Sequence, residues 1–324
     1  MAKNNNFYKN AIIVSGIPRT ATTIVGKIIS ELASYSTIYE PFNSNQGLTS
    51  VNLNYLLPGS NISIKDFDLI FENLLELKGD FKQGLNDNDT FLKKIFKKII
   101  GNESSISFKK AKYFKKKGIL IKDPFLLFAA EYLSNNYNII ICERPLLPLA
   151  GSFKRMSWIF HENNRLLNDL SYLDSKFLEN DFEIEKIITK NISLSVIGAV
   201  KFFSIYSIFK KYLKQKNNIY FFKQDKLSTD PSQSITSLLS WLKIDFSEQD
   251  IFITKNKISS SFSKNSKPKQ GIQHDKNYNK KYANKYYESL LSKDEIRFIK
   301  VSEEIICSGG EIWTPDLRIM IPLL

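Results

Sequence analysis

Apolar residues recur along this chain with two periods, one suited to buried strands and one to helix faces. Ala11-Ile12-Ile13-Val14-Ser15 is a short β-branched run closed by Gly16 and Pro18, which predicts a strand covered on both sides. From Thr22 onward Ile24, Val25, Ile28, Ile29 and Leu32 follow at spacings of three and four, so a helix is expected, with Thr20 or Thr22 to cap it. Thr37-Ile38-Tyr39 then reads as a second strand ending at Glu40-Pro41, completing a β-loop-α-β unit.

Residues 49–117 are less regular and read as a helical insertion with a basic end. Regular alternation resumes with Gly118-Ile119-Leu120-Ile121 as a strand, Phe125 to Ser134 as a helix, and Tyr137 to Cys142 as a buried strand ending at Glu143-Arg144-Pro145. Helical stretches are expected near Leu147 to Leu167 and Ile184 to Leu213. They lead to a strand at Asn218 to Phe222 and an amphipathic helix from Ser232 to Leu242. Ser259 to Lys285 is rich in Ser, Lys and Asn and reads as a loop, with helical periodicity returning at Tyr286. The alternation gives an α/β fold with a central, mainly parallel sheet.

Composition narrows the class. The chain has 324 residues, 43% of them hydrophobic and 13% aromatic, enough for a sizeable core. No apolar run approaches the length of a membrane span, and the polar start MAKNNNFYKN has no signal-peptide core, so a cytoplasmic location without an integral membrane segment is expected. Two cysteines, Cys142 and Cys307, and two histidines, His161 and His274, supply neither a disulfide scaffold nor a zinc set, so no metal is expected. The formal charge of +13, from 46 basic and 33 acidic residues, favours an anionic partner without choosing its kind. Arginine is confined to Arg19, Arg144, Arg155, Arg165, Arg297 and Arg318, which makes each guanidinium more informative than the many lysines.

One segment carries chemistry by its placement. Gly16-Ile17-Pro18-Arg19-Thr20-Ala21-Thr22-Thr23 lies between strand and helix, where backbone N–H groups and the positive helix end can hold an oxyanion. The nucleoside-triphosphatase pattern GxxxxGK[ST] is not met, because Ala21 occupies the second glycine's place and Thr22 the lysine's. What remains, Arg19 with three threonine hydroxyls and bare backbone, suits a single terminal phosphate or sulfate group. A P-loop nucleotide kinase and a basic module for nucleic-acid or membrane surfaces, built on Lys93 to Lys117, are the alternative readings. The missing loop lysine weighs against the kinase.

The loop resembles the phosphosulfate-binding segment G-x-P-[KR]-[ST]-G-T-T of sulfotransferases that use 3′-phosphoadenosine-5′-phosphosulfate (PAPS). Arg144-Pro145 with Ser152 eight residues on is similar to that family's 3′-phosphate site. Gln224-Asp225-Lys226-Leu227 with Asp230-Pro231 resembles its Y-E-D-L…D-P segment. Ile121-Lys122-Asp123-Pro124-Phe125 resembles the K-D-P-F segment of the tyrosylprotein branch and of related bacterial enzymes. Departures are Ala21 for the loop glycine, Gln224 for a nucleotide-contacting tyrosine, and Asp123 near the place of the histidine base in the cytosolic small-molecule enzymes.

The resemblance implies a P-loop-like three-layer fold over one domain, 1–324, with 49–117 as a helical cap on the acceptor side. It implies PAPS as sulfuryl donor and adenosine 3′,5′-bisphosphate as product, held by Gly16, Arg19, Thr20, Ala21, Thr22, Thr23, Arg144, Ser152 and Gln224. The late-loop residues Ser261, Ser263, Lys267 and Lys269 would cover the nucleotide. Glu40 would act as general base, with Asp123 its rival, while Arg19 and Lys122 would assist the transferred group. A glycan hydroxyl is the favoured acceptor and peptide tyrosine the alternative; nucleic acid is not an expected partner.

Overall fold

The computed structural model describes residues 11–84, 100–114, 116–261 and 289–308. A five-stranded sheet forms its centre: β1 (Ala11–Gly16), β2 (Tyr35–Tyr39), β3 (Gly118–Lys122), β4 (Asn138–Glu143) and β5 (Ile219–Lys223). Their order across the sheet is β2-β3-β1-β4-β5, and every pairing is parallel. Each expected strand is present, displaced at its ends by one or two residues. The continuous Ile and Val runs are the mark of a parallel sheet covered on both faces, and β1 and β3 are buried along their whole lengths.

Register decides which residues share the carboxyl edge of the sheet. Tyr39 pairs with Lys122, Val14 with Lys122, Gly16 with Cys142, and Glu143 with Lys223. The loop after β1, the β2–Glu40 turn, Lys122, Arg144 and Gln224 therefore all leave the sheet along one edge, where the crevices of open α/β sheets lie.

The chain divides into two compact units; among the described residues, the first comprises 11–145 and 209–261 and the second 146–208 and 289–308. In the first unit, α1 (Thr22–Leu32) covers one face of the sheet through Val25, Ile28 and Ile29. They meet Ile12, Val14, Leu120 and Ile140 together with Ile235, Leu238 and Leu239 of a later helix, Pro231–Trp241. Fully burying each such side chain contributes about 1.5–3 kcal/mol, so this layer fixes α1 and the loop that feeds it. The stretch expected as a helix from Phe125 is instead a 3-10 helix, Pro124–Ala129, followed by one α-helical turn, Ala130–Leu133. Pro124 removes a backbone donor, and Asp123 caps the start by accepting the amide of Phe125 at 2.9 Å.

Two helices of the 49–117 segment are described, α2 (Ile64–Leu75) and α3 (Glu103–Tyr113), while the stretch from Val51 to Ile62 is turns and a short bridge. Lys82 shapes that stretch: its ammonium donates to the carbonyls of Ser44, at 2.6 Å, and of Val51. Phe42, Phe67 and Phe71 pack with ring centroids 5.8–6.1 Å apart and hold α2 down. α3 lies along β2, where Ser107 Oγ accepts the amide of Tyr39 at 2.9 Å and Ser36 Oγ donates to the carbonyl of Phe114 at 3.1 Å. Lys109, Lys110, Lys112, Lys116 and Lys117 are exposed, and Lys93, Lys94, Lys97 and Lys98 lie outside the described residues.

The second unit is helical. The stretch expected as one helix from Leu147 to Leu167 is two, Leu146–Met156 and Asn163–Leu170, interrupted at Ser157, which has φ of 52°. The interruption folds Phe160 back against Phe153 and Phe202, at 5.3 and 4.3 Å between centroids. Gly198 permits this, since a Cβ there would lie 3.2 Å from the amide nitrogen of Phe160. The second long stretch is likewise broken between Lys176–Lys186 and Leu194–Leu213. In the break, Ser193 Oγ donates to Glu295 at 2.7 Å, and Glu295 also pairs with Lys154 at 2.5 Å. Glu295 and Ser292 cap the helix Lys293–Ser308 reciprocally: Ser292 Oγ accepts the Glu295 amide at 3.2 Å and Glu295 accepts the Ser292 amide at 2.8 Å.

Candidate active site

The loop after β1 is a strained cradle. Gly16 has φ of 142°, and a Cβ on it would lie 2.4 Å from the carbonyl oxygen of Cys142, so only glycine fits. Arg19 and Ala21 both take left-handed backbone, with φ of 76° and 71°. Such a conformation costs an L-residue about 1–2 kcal/mol, which accounts for the glycine preferred at the place of Ala21. Thr20 is fully buried and its hydroxyl donates to the carbonyl of Ile17 at 2.6 Å, so its side chain closes the turn. The Ala21 carbonyl accepts the amides of Ile24 and Val25, whereas the amides of Thr22 and Thr23 open the helix and have no helical carbonyl to meet. Left-handed residues in a tight turn and a helix N-terminus together form an anion nest.

Arg144 joins this loop from β4. It is 7% exposed, and its Nη1 donates to the carbonyl of Arg19 at 3.2 Å, bringing a second guanidinium against the nest. Gln224 opens the helix after β5, and its Oε1 is buried with no hydrogen-bond partner among the described residues. Ser15 Oγ, fully buried at the end of β1, is in the same condition. Ser152 is buried in the helix Leu146–Met156 of the second unit. Ser261 is the last residue of the helix Glu248–Ser261, and Ser263, Lys267 and Lys269 lie outside the described residues, as does His274. His161 is exposed on a turn of the second unit.

On the other side of β1, the ends of β2 and β3 form a compact charged cluster. Lys122 Nζ lies 2.5 Å from Glu40 Oε1, with the lysine side chain 5% exposed and the glutamate 21%. Burial alone would lower the Lys122 pKa, but the charge of Glu40, and after it Tyr39, outweighs burial and raises it. Glu40 has left-handed backbone, with φ of 45°; its amide donates to the Lys122 carbonyl at 2.8 Å, and Asn43 donates to its second oxygen at 3.3 Å. Asp123 is fully buried, and its two oxygens accept the amides of Phe42 at 2.6 Å and Phe125 at 2.9 Å. Burial first, and then the charge of Glu40, pushes the Asp123 carboxyl up to about 8.

Sequence reasoning passed over Tyr39. Its hydroxyl lies 2.6 Å from Thr23 Oγ1, and Lys122 Nζ stands 4.3 Å from the centroid of its ring. A tyrosine directly before Glu40 on a strand whose outer positions face α1 was the available signal. Among the described residues no group of three or more His, Cys, Asp or Glu could hold a metal ion, and no helix is long and apolar enough to cross a membrane.

No family model matches the chain, and no curated protein matches it. Among solved structures, it is similar to mouse sulfotransferase SULT7A1 complexed with PAP, at 12% identity and a TM-score of 0.41, covering 96% of this chain and 88% of that one. It is also similar to a sulfotransferase domain from the curacin biosynthetic pathway, at 11% identity and a TM-score of 0.33, covering 91% of this chain and 97% of that one. Overlaps of this size carry no functional argument; the α/β fold stands on the strand order and register above.

Proposed function

We propose that the chain is a PAPS-dependent sulfotransferase, a single catalytic domain that transfers a sulfuryl group to an acceptor hydroxyl, with a glycan as the acceptor class. The observation that carries this reading is the contact of Arg144 with the Arg19 carbonyl. It sets two arginines at one strained loop that has no P-loop lysine, an arrangement suited to a nucleotide carrying phosphate groups at two places. The orphaned Gln224 Oε1 farther along the same sheet edge fits a nucleotide as well, since a buried acceptor there calls for a donor such as an amino group.

Sulfuryl transfer makes an S–O bond to the acceptor oxygen and breaks the S–O bond to the 5′-phosphate, and the acceptor's proton must go to a base. In this reading Arg19 and the amides of Thr22 and Thr23 hold the 5′-phosphosulfate, with the hydroxyls of Thr22 and Thr23 beside them. Thr20 serves through the turn it closes, while Arg144 answers to the 3′-phosphate. Glu40 takes the proton, because it is the more exposed of the two carboxylates at the strand ends and Asp123 is bracketed by amides. Lys122 balances charge on the transferred group. Residues 49–117 form the acceptor-side cap; the packing of α3 along β2, the strand that leads into Glu40, supports this.

Calorimetry with adenosine 3′,5′-bisphosphate, AMP and ATP tests the proposal. The bisphosphate should bind with clear preference, and Arg144→Ala should weaken it by about 10- to 100-fold while leaving AMP little changed. Equal affinity for AMP and the bisphosphate in the unmutated protein would remove the 3′-phosphate assignment and leave the kinase reading stronger.

A further inference from the structure

The Tyr39 side chain touches both halves of the site. Its hydroxyl shares a hydrogen bond of 2.6 Å with Thr23 Oγ1 in the first turn of α1, beside the anion nest. Its ring presents a face to Lys122 Nζ at 4.3 Å, and Lys122 is the ion-pair partner of Glu40. Its own backbone is fixed by register with Lys122 on one side and by Ser107 on the other. We infer that Tyr39 is a positioning residue that directs the Thr23 hydroxyl toward an anion in the loop and steadies the Lys122 ammonium beside Glu40. The first half of this rests only on the nest, and the second on the sulfotransferase reading.

The argument for the first half is a count of protons. Each hydroxyl carries one, and without an anion either oxygen can donate across the contact. An anion is an acceptor only, so a Thr23 hydroxyl that donates to it has no proton left for Tyr39. Tyr39 must then donate to Thr23, giving a chain from phenol to threonine to anion in which each bond polarises the next. Burial, opposed by Lys122 and the Thr23 contact, raises the Tyr39 pKa, which keeps that phenolic proton in place. For the second half, an aromatic face attracts a cation through its quadrupole, and this needs the ring without the hydroxyl.

The two roles separate by substitution. Tyr39→Phe removes the hydroxyl and keeps the ring, whereas Tyr39→Leu removes both. Binding of adenosine 3′,5′-bisphosphate and of inorganic pyrophosphate should weaken about 3- to 10-fold in Tyr39→Phe. Tyr39→Leu should show the same loss of affinity and, in addition, a kcat about 10-fold below that of Tyr39→Phe. Tyr39→Phe combined with Thr23→Val should bind no worse than Thr23→Val alone, because both break one chain. Thermal melts confirm that each variant is folded, and Tyr39→Phe is the conservative change on which the test turns. Wild-type affinity in folded Tyr39→Phe, or additive losses in the double variant, would overturn the inference. If the unmutated protein binds pyrophosphate but shows no preference for the bisphosphate, the sulfotransferase reading fails while the Thr23 coupling is still measured by pyrophosphate. Binding of neither probe overturns the nest and the inference together.

Discussion

The carboxylate of Asp123 accepts the backbone amide of Phe42 at 2.6 Å, across 81 positions of sequence. Phe125 donates to the other oxygen at 2.9 Å, so both oxygens are engaged by main-chain donors inside the protein. Asp123 thereby ties the turn that follows Glu40 to the end of β3. Of the two carboxylates that the sulfotransferase reading offers as base, Asp123 is committed to holding the turn two residues beyond Glu40.

That commitment makes a pH-dependent prediction. Asp123 is raised to about 8 from 3.8, so the folded protein keeps a proton that the unfolded chain has released. The contribution to stability is complete below about pH 4 and is lost as the pH rises toward about 8. Asp123→Asn abolishes this titration but turns an NH2 group toward one of the two amides, donor against donor, at a cost of about 1–3 kcal/mol. Denaturant unfolding near pH 5 and near pH 8 should therefore find wild type ahead of Asp123→Asn at the lower pH, with the gap shrinking at the higher. A gap that does not change with pH would contradict the raised pKa.

Glu40→Gln keeps an oxygen for Lys122 to donate to but cannot accept a proton at neutral pH. Turnover should fall by about 10²- to 10⁴-fold while bisphosphate affinity stays within about 2-fold. Steady-state kinetics beside calorimetry reads the two separately. Full turnover in Glu40→Gln moves the base elsewhere.

In the sulfotransferase reading, Arg19 addresses charge on the leaving phosphate. Arg19→Ala should lower kcat by about 10²- to 10³-fold, and Arg19→Lys, which keeps a point charge without the fork, should fall between the two. Arg19 has φ of 76°, a strain that any L side chain there would share, so comparing the lysine and alanine variants isolates the charge from the backbone. An unchanged kcat in Arg19→Ala takes the guanidinium out of the transfer step.

Ala21 has φ of 71° and no side-chain cap of its own for α1. Ala21→Gly relieves the left-handed penalty and should stabilise the protein by about 1 kcal/mol, after the extra entropy lost by glycine is counted. Chemical denaturation measures this directly. Destabilisation would mean that the loop relaxes when Ala21 is absent and that its conformation is imposed from elsewhere.

β1, β3 and β4 were legible because each is a run rich in Ile and Val bounded by turn residues, and parallel pairing needs that continuous apolar character on both faces. The anion loop was legible for the same local reason, since its chemistry lies in eight consecutive residues. The two long helices were not, because their interruptions are set by distant partners: Phe160 turns back onto Phe202, and Ser193 is drawn to Glu295. Tyr39 was missed on similar grounds. Nothing in its neighbours announces that its hydroxyl meets Thr23, sixteen residues before it, or that Lys122 lies over its ring.

If the chain is a sulfotransferase as proposed, the helix against β2 has a consequence for the kind of acceptor. Extended peptides are often recognised by adding a strand to an open sheet margin, where main-chain donors and acceptors stand ready. At β2 that margin is occupied: the Tyr39 amide is spent on Ser107, and α3 and its following turn are fastened to Ser36 and to the carbonyl of Ser34. Among the described residues, a polypeptide acceptor would then find no open strand position beside the Tyr39 amide. It would have to present its hydroxyl through side-chain contacts alone, which is how a sugar ring, with no backbone amides to offer, must bind in any case.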